Sequence, residues 1–288
     1  MKRRFVFLSV AAFLMAGCVS QPEEGERYEM LPIHVVTGES CFEIKACDTV
    51  PIVGDVYLDV QNEFTLAWPD LDRFDASVRK ELMFMAFGDS SCATMDEAGQ
   101  KFLGRTWVED DEYLFGGMEP KKVKLDSVRV WPYNYATVKG EVRQDGQLLH
   151  FSVNKEEFVA YAAHGTYSFH SLIVDRATGK AVRLADLMDT AGIGRVMIRA
   201  LEELEKNKEN GNSTECLSDE YTKCLPEPDG FTMDSNRTVV TAFYNIYSVQ
   251  CYGCGMLFVD MPVDWLSGQV TLTPYGKKIF GIEEGKKK

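Results

Sequence analysis

The chain has 288 residues, of which 45% are hydrophobic and 26% charged, and a net charge of −13. That length suits one large or two modest domains, and the apolar content is enough to fill a core, which excludes a wholly disordered chain. The acidic balance argues against nucleic acid and anionic lipid as ligands; it keeps an exported protein soluble and is compatible with a basic partner.

The chain opens with Lys2-Arg3-Arg4, an apolar run from Phe5 to Ala16, and Gly17-Cys18. This is a basic leader, a hydrophobic stretch too short for a mature membrane span, and a small-residue cleavage site, so residues 1–17 are expected to be a signal peptide. Leu14-Met15-Ala16-Gly17-Cys18 resembles a bacterial lipobox, which implies a lipoprotein with Cys18 as the lipidated (palmitate-bearing) first residue. Several acyl chains give stable anchoring, at about 0.8 kcal/mol per buried methylene. Removing the leader takes away three basic residues and leaves a net charge of about −16. Residues 18–49 are expected to be a lipid-anchored tether, because Ser20-Gln-Pro-Glu-Glu-Gly-Glu26 is acidic and carries Pro and Gly. An acidic stretch just after the lipidated cysteine resembles the surface-export signal of Bacteroidetes lipoproteins. The implied location is the outer membrane, on its periplasmic side or at the cell surface.

Residues 50–154 read as a first α+β domain. Val56–Leu66 is an extended run that Trp68-Pro69 breaks, since proline restricts the residue before it. Asp75 is placed to cap a helix over Ala76–Phe87, with Val78, Leu82, Met85 and Ala86 on one face and Gly88 as the stop. Asp70, Asp72 and Asp75 lack the glycine-bearing loop and bidentate Glu of a calcium site and are read as capping and solvated residues. Glu109–Glu112 is read as a solvated loop. Ala136–Gln144 and Gln147–Val153 flank Asp145-Gly146, the signature of a tight hairpin. Trp131, Tyr133 and Tyr135 alternate on one face, as core or as a sugar-binding platform.

Residues 155–282 read as a second domain, with 283–288 as a tail. Phe158–Leu187 predicts two strands, a turn at Arg176–Lys180, a short third strand and a helix start. A helix is expected over Gly192–Lys206, from Ile193, Val196, Ala200, Leu201 and Leu204. A loop follows over Lys206–Asp219, then a β segment from Asp229, a turn at Asp234–Arg237, and a β-rich run over Thr238–Val249. Runs of strands with few helices argue an α+β fold, antiparallel sheets with a few packed helices in two α+β subdomains.

Beyond Cys18 there are seven cysteines: Cys41, Cys47, Cys92, Cys216, Cys224, Cys251 and Cys254. Export permits disulfides. Cys251-Tyr-Gly-Cys254 has the C-x-x-C spacing of a redox motif, but a β-rich run precedes it rather than a helix start. Cys216, Cys224, Cys251 and Cys254 have the ligand number of a zinc site, with loose spacing in the first pair. Structural disulfides are the reading adopted, with Cys216–Cys224 and Cys251–Cys254 as expected pairs and Cys41/Cys47 close enough to form another; spacing alone does not fix connectivity.

The sequence holds no G-x-S-x-G, H-E-x-x-H, G-x-x-x-x-G-K-[ST] or G-x-G-x-x-G motif. His164 and His170 are six apart, which on a strand puts both on one face. A metal pair is one reading, and neutral hydrogen-bonded histidines, with no metal and no cofactor, the one adopted.

Ala163-His164-Gly165, Asp175, Thr178-Gly179-Lys180 and Leu184-Ala-Asp186-Leu187 resemble the pattern of the extracellular domain found in RsiV-type anti-sigma factors and beside some peptidoglycan deacetylases. Tyr161 and Ala162 stand where that family has two glycines. The resemblance returns at Tyr244-Asn-Ile-Tyr247-Ser248-Val249, Gly255 and Met261-Pro262, with Ile246 and Ser248 in place of a Pro and a Glu; Cys251 and Cys254 are additions. Trp68-Pro69 and the helix after it resemble the companion domain that often precedes the family's domain. The resemblance implies a non-enzymatic binding or sensing protein of the cell envelope, with a basic protein such as lysozyme or a cell-wall component as partner. His164, His170, Tyr244 and Tyr247 are then ligand-binding candidates. With the chain ending at Lys288, no deacetylase domain is expected after it, and no cytoplasmic segment to hold a sigma factor is expected before the signal peptide. Two alternatives stay open: an enzyme on cell-wall glycan or peptide, using His164 and carboxylates such as Asp175, and a structural envelope lipoprotein.

Overall fold

The computed structural model describes residues 8–10, 28–45, 57–105, 133–158, 164–207 and 214–282. Cys18, Cys47, Glu109–Glu112, Trp131 and Tyr161–Ala163 lie outside them. The chain divides into two compact units, Met1–Val142 with Val153–Ser168, and Arg143–Ser152 with Phe169–Lys288. The boundary is therefore not the expected one at 154/155. The hairpin around Gly146 belongs with the second unit, where its side chains find their partners.

In the first unit the strands are β1 (Leu8–Val10), β2 (Ile33–Lys45), β3 (Tyr57–Pro69) and the start of β4 (Tyr133–Asp145). Every second residue of β3, Val60, Asn62, Phe64, Leu66 and Trp68, is buried, the period of a strand with one face on a core. β2 pairs antiparallel with all of β3, from Ile33 opposite Pro69 to Lys45 opposite Tyr57. Residues 33–45 are thus a strand, inside the span 18–49 that the sequence reads as a tether. β1, which falls within the expected signal peptide, pairs antiparallel with Val35–Thr37.

β3 and β4 are parallel, a pairing that needs a long crossover. The crossover carries α1 (Ala76–Phe87) and α2 (Met95–Leu103). α1 has the expected bounds. The Asp75 carboxylate accepts from Ser77 N–H at 2.8 Å, and Gly88 closes the helix in the left-handed region at φ 67°. α2 was not foreseen, although Thr94-Met-Asp-Glu97 has capping-box spacing: Glu97 N–H donates to Thr94 Oγ1 and Ala93 N–H to Glu97 Oε2. The carbonyl of its last residue, Leu103, accepts from both Ser40 Oγ (2.7 Å) and Asn62 Nδ2 (3.3 Å). Phe64, Phe87 and Phe102 pack together with ring centroids 5.1–6.3 Å apart.

The second unit holds the remainder of β4, the start of β5 (Leu148–Phe158) and most of β6 (Thr166–Asp175), residues 153–158 and 166–168 of these two strands belonging to the first unit, then β7 (Lys180–Val182), α3 (Leu184–Leu187), α4 (Ile193–Asn207), β8 (Gly230–Met233), β9 (Val239–Tyr244), β10 (Leu257–Pro262), α5 (Val263–Leu266) and α6 (Pro274–Ile279). Strand order follows chain order from β1 to β7 in one mixed sheet, and β10-β9-β8 form a second, antiparallel sheet. The fold is α+β. The apolar face of α4, with Val196, Met197, Ala200 and Leu201, packs in one core with Val240, Ala242, Val259 and Met261 of the small sheet.

The expected Asp145-Gly146 turn is shifted by one residue. β4 keeps Asp145, and Gly146, at φ 52°, forms the connection with Gln147. The turn between β6 and β7 is the predicted one: Asp175 O accepts from Gly179 N–H at 2.8 Å, and Gly179 sits at φ 67°. Leu184–Leu187 is a helical turn on which α6 rests. A Cβ at Gly276 would lie 1.9 Å from Leu187 O, so only glycine fits there.

Candidate functional site

β9 ends at Tyr244, five residues short of the expected β-rich run, because the next side chain takes over the backbone bonding. Asn245 Oδ1 accepts from Phe169 N–H at 2.7 Å, and Asn245 Nδ2 donates to Phe169 O at 3.1 Å. The chain then turns through Ile246, Tyr247 and Ser248. The Asp229 carboxylate accepts from Asn245 N–H and Ser248 Oγ, both at 2.7 Å. At the far end Ser218 N–H donates to Val249 O at 3.0 Å, Leu217 and Gln250 form an isolated bridge, and Gln250 Nε2 donates to Cys254 O and Gly255 O.

The residue this frame presents is Tyr247. It is 60% exposed and held at φ 68°, a left-handed conformation that non-glycine residues rarely take. Its ring lies against Tyr252, centroids 5.9 Å apart. Backbone held in a sparsely populated region needs surroundings that over-determine it, and such positions cluster at ligand clamps. Tyr244, the other tyrosine proposed to meet a ligand, is 1% exposed, and its hydroxyl donates to Pro226 O at 2.7 Å. Burial pushes that hydroxyl well above the ordinary tyrosine range. Tyr244 serves the core, a correction the alternation of strand residues already contained.

The two histidines fall in different units. His164, half-buried, has Nδ1 3.0 Å from Gly165 O in the first. Beside it a Cβ on Gly165 would come 3.1 Å from Glu157 O, which explains the glycine. His170, also half-buried, lies on β6 in the second unit.

Asp175, a carboxylate of the enzymatic alternative, is 3% exposed and accepts from Gln147 Nε2 (2.5 Å), Tyr275 Oη (2.7 Å), Ala177 N–H (2.8 Å) and Thr178 N–H (3.2 Å). Burial opposes its ionisation, and these donors, Tyr275 and Gln147 foremost, overcome the burial and hold it below the usual carboxylate range. With four donors in place it fixes the hairpin and α6; it is not poised to move protons. Thr178-Gly179-Lys180 and Leu184–Leu187 are likewise architectural.

A third polar group, partly buried, centres on Asp145. Arg237, itself at φ 59°, donates from Nη2 to Asp145 Oδ1 and Asp145 O, both at 2.9 Å, and from Nε to Oδ2 at 3.3 Å. His150 Nε2 stands 3.5 Å from Asp145 Oδ2, and neither ring nitrogen has a closer hydrogen-bond partner among the described residues. Burial works against the Asp145 charge, and contacts from His150 and Arg237 outweigh it, bringing its pKa down to about 2. Burial, opposed by Asp145 and reinforced by Arg143 and Arg237, holds His150 below its ordinary value. A neutral, poorly aligned imidazole stabilises a carboxylate little, so the Arg237 fork carries most of the effect on Asp145.

The first unit has a half-open cavity of about 420 Å³. Val36, Leu66, Trp68 and Met83 give it an apolar lining, and His34, Asp70, Arg79 and Asp96 polar groups of both signs.

The cysteine pairing differs from the expected one. Cys216 is bonded to Cys254, across 38 residues of sequence. Cys224 and Cys251 are free and exposed, so neither Cys216–Cys224 nor Cys251–Cys254 forms here. Nearness in sequence favoured the short loops, whereas the Leu217–Gln250 bridge brings the distant segments together. Cys41 on β2 is a free exposed thiol and Cys92 a free buried one.

No family model matches the chain, and no curated protein matches it by sequence. Among solved structures, a DUF3298 family protein from Pseudomonas aeruginosa PAO1 aligns at 16% identity and a TM-score of 0.49, over 86% of this chain and 96% of that one. A member of the DUF3298 family from Bacteroides fragilis NCTC 9343 aligns at 15% identity and a TM-score of 0.57, over 87% of this chain and 98% of that one. With the second of these, the chain shares its fold.

Proposed function

We propose that this protein is a lipid-anchored binding or sensing protein of the cell envelope, non-enzymatic, whose second unit meets a basic protein partner through the Tyr247 turn. The observation that carries the reading is Tyr247 itself: an exposed aromatic side chain in a left-handed backbone, on a turn pinned at Asn245, Ser248 and Gln250. A rigid tyrosine offers large contact area at low entropic cost, and tyrosine is enriched among residues that dominate binding energy. The net charge, about −16 once the leader is removed, attracts a basic partner, and the resemblance to the RsiV-type domain names lysozyme as the first to try. Cys18 would hold the protein at the outer membrane, with the acidic segment after it as tether. A second reading, a cell-wall fragment as ligand, is favoured by the cavity with Trp68 and groups of both charges in the first unit.

The test is titration of the soluble chain from Ser20 onward with lysozyme and with cytochrome c, a basic control, at low and physiological salt. Charge attraction is screened beyond about 8 Å at physiological ionic strength. A specific interface keeps slow dissociation from lysozyme as salt rises, while cytochrome c is released. Equal binding to both, lost together with salt, would leave only nonspecific attraction and end the reading. Fatty-acid labelling that persists in Cys18→Ser would end the lipoprotein part.

A further inference from the structure

The second unit brings three sulfur atoms to one place. The Cys216–Cys254 disulfide joins the 3-10 turn Thr214–Cys216 to the 3-10 turn Tyr252–Cys254. Cys251, an exposed free thiol with no part in the interactions described above, has its Sγ 3.5 Å from Cys254 Sγ. That is contact distance for two sulfur atoms. A thiolate in contact with a disulfide sulfur is the reactant pair of thiol–disulfide exchange, and an exposed thiol can lose its proton to water.

We propose that Cys251, Cys254 and Cys216 form a thiol–disulfide exchange centre in which Cys251 displaces Cys216 from Cys254. Cys251 gives its proton to solvent. Its sulfur lone pair forms a bond to Cys254 Sγ as the Cys216–Cys254 bond breaks, and the electron pair of that bond leaves on Cys216 Sγ, which then takes a proton. One disulfide and one thiol stand on each side, so no oxidant or reductant is consumed, and attack by Cys216 reverses the step. A closure across 38 residues becomes a local ring between Cys251 and Cys254. Thr214–Ser218 then keeps the Ser218 N–H to Val249 O bond and the Leu217–Gln250 bridge but loses its covalent tie. Tyr252, whose ring lies against Tyr247, sits inside the new ring, so the exchange alters the support of the presented tyrosine. The centre stands whatever partner Tyr247 meets.

The test uses the purified full chain, incubated native without reductant, quenched in acid, alkylated and mapped by mass spectrometry. Wild type should yield both the Cys216–Cys254 and the Cys251–Cys254 cross-links. Cys216 should gain label mole for mole as Cys251 loses it, in a ratio unchanged by tenfold dilution. Cys251→Ala should lose the local cross-link and all labelling of Cys216, while Cys224→Ala keeps both cross-links. A single cross-link in wild type, with its spare cysteine fully labelled, overturns the proposal, as does a ratio that moves with dilution. Because Cys216→Ala is fixed in the exchanged form and Cys251→Ala in the original one, hydrogen exchange at the Leu217 and Ser218 amides should be faster in the former. Equal exchange in the two would show that the bond holds nothing and would overturn the switch.

Discussion

Asn245 and Phe169 are joined by two hydrogen bonds through one side chain, Phe169 N–H to Oδ1 at 2.7 Å and Nδ2 to Phe169 O at 3.1 Å. The amide of Asn245 thereby stands in for a strand residue at the point where β9 stops. Asn245→Ala should cost about 1–3 kcal/mol, two net hydrogen bonds, as read by urea unfolding. Asn245→Asp keeps an acceptor for Phe169 N–H but no donor for Phe169 O, and sets a charge near Asp229. It should be at least as costly. Unchanged midpoints in both variants would show that the latch does not hold the turn.

Gly276→Ala tests the contact between α3 and α6. An added Cβ would fall 1.9 Å from Leu187 O, so backbone must move. Overpacking of this kind costs about 1–3 kcal/mol and at times more. Gly253, whose Cβ would meet nothing within 4 Å, is the matched control. Its change to Ala should stay within about 0.5 kcal/mol, as surface substitutions do. A Gly276→Ala protein as stable as the Gly253→Ala one would contradict the packing.

The sequence made local structure legible where one residue decides it. Asp75 and Gly88 fixed both ends of α1, and the Asp175-to-Lys180 turn was readable from its glycine. Much of the family pattern turned out to be architecture: Asp175, Gly179 and the Leu184–Leu187 turn satisfy backbone groups and seat α6. What stayed hidden depends on distant partners. Asp145 remains in β4 because Arg237, 92 residues later, grips it. Cys216 pairs with Cys254 rather than Cys224 because a bridge at Leu217 and Gln250 brings them together. Tyr244 and Tyr247 carry the same side chain three positions apart, and only the end of β9 between them separates core from surface. The left-handed backbone of Tyr247 has no signature in its own residue type.

Acid stability should depend on the Arg237 fork. Asp145 titrates at about 2 in the fold, against about 3.9 in an unfolded chain. As pH falls the unfolded chain takes this proton first, so the stabilisation is present above about pH 4 and is lost toward pH 2, an amount of about 2 kcal/mol. His150 is displaced downward as well. The unfolded imidazole charges near 6.5 while the folded one resists, so stability falls as pH drops through that value too. Arg237→Gln should destabilise the protein by about 1–3 kcal/mol at pH 7, the cost of leaving a partly buried carboxylate without its charge-assisted bonds. The gap from wild type should narrow as pH approaches 2 and Asp145 is protonated. A gap constant across that range would show that Asp145 does not depend on Arg237.

The cysteines should rank in stability by the loops they can close. Closing the loop from Cys216 to Cys254 is worth roughly 4 kcal/mol by chain entropy, and closing Cys251 to Cys254 roughly 2. Cys254→Ser removes both options and should lose about 4 kcal/mol, whereas Cys216→Ser should lose only about 2 if Cys251 takes over the bond. Cys251→Ser should leave the unfolding midpoint unchanged under non-reducing conditions. Equal losses for Cys254→Ser and Cys216→Ser would mean that no second bond forms.

Tyr247 separates binding from stability more sharply than any other position. Its left-handed backbone costs the fold about 1–3 kcal/mol, and glycine takes the same conformation without strain. Tyr247→Gly should therefore unfold at the same urea concentration as wild type or higher, since the extra flexibility of glycine in the unfolded chain offsets part of the gain. Its affinity for lysozyme at physiological salt should fall by about tenfold or more, the loss expected when a tyrosine anchor is removed. Tyr244→Phe should do the reverse. It loses the hydroxyl bond to Pro226 O and about 1 kcal/mol of stability, while leaving affinity near wild type. A purely structural role for both tyrosines would make stability and binding fall together. If Tyr247→Gly keeps full affinity while wild type binds, the partner meets another face, and the strain at φ 68° must be explained by the fold alone.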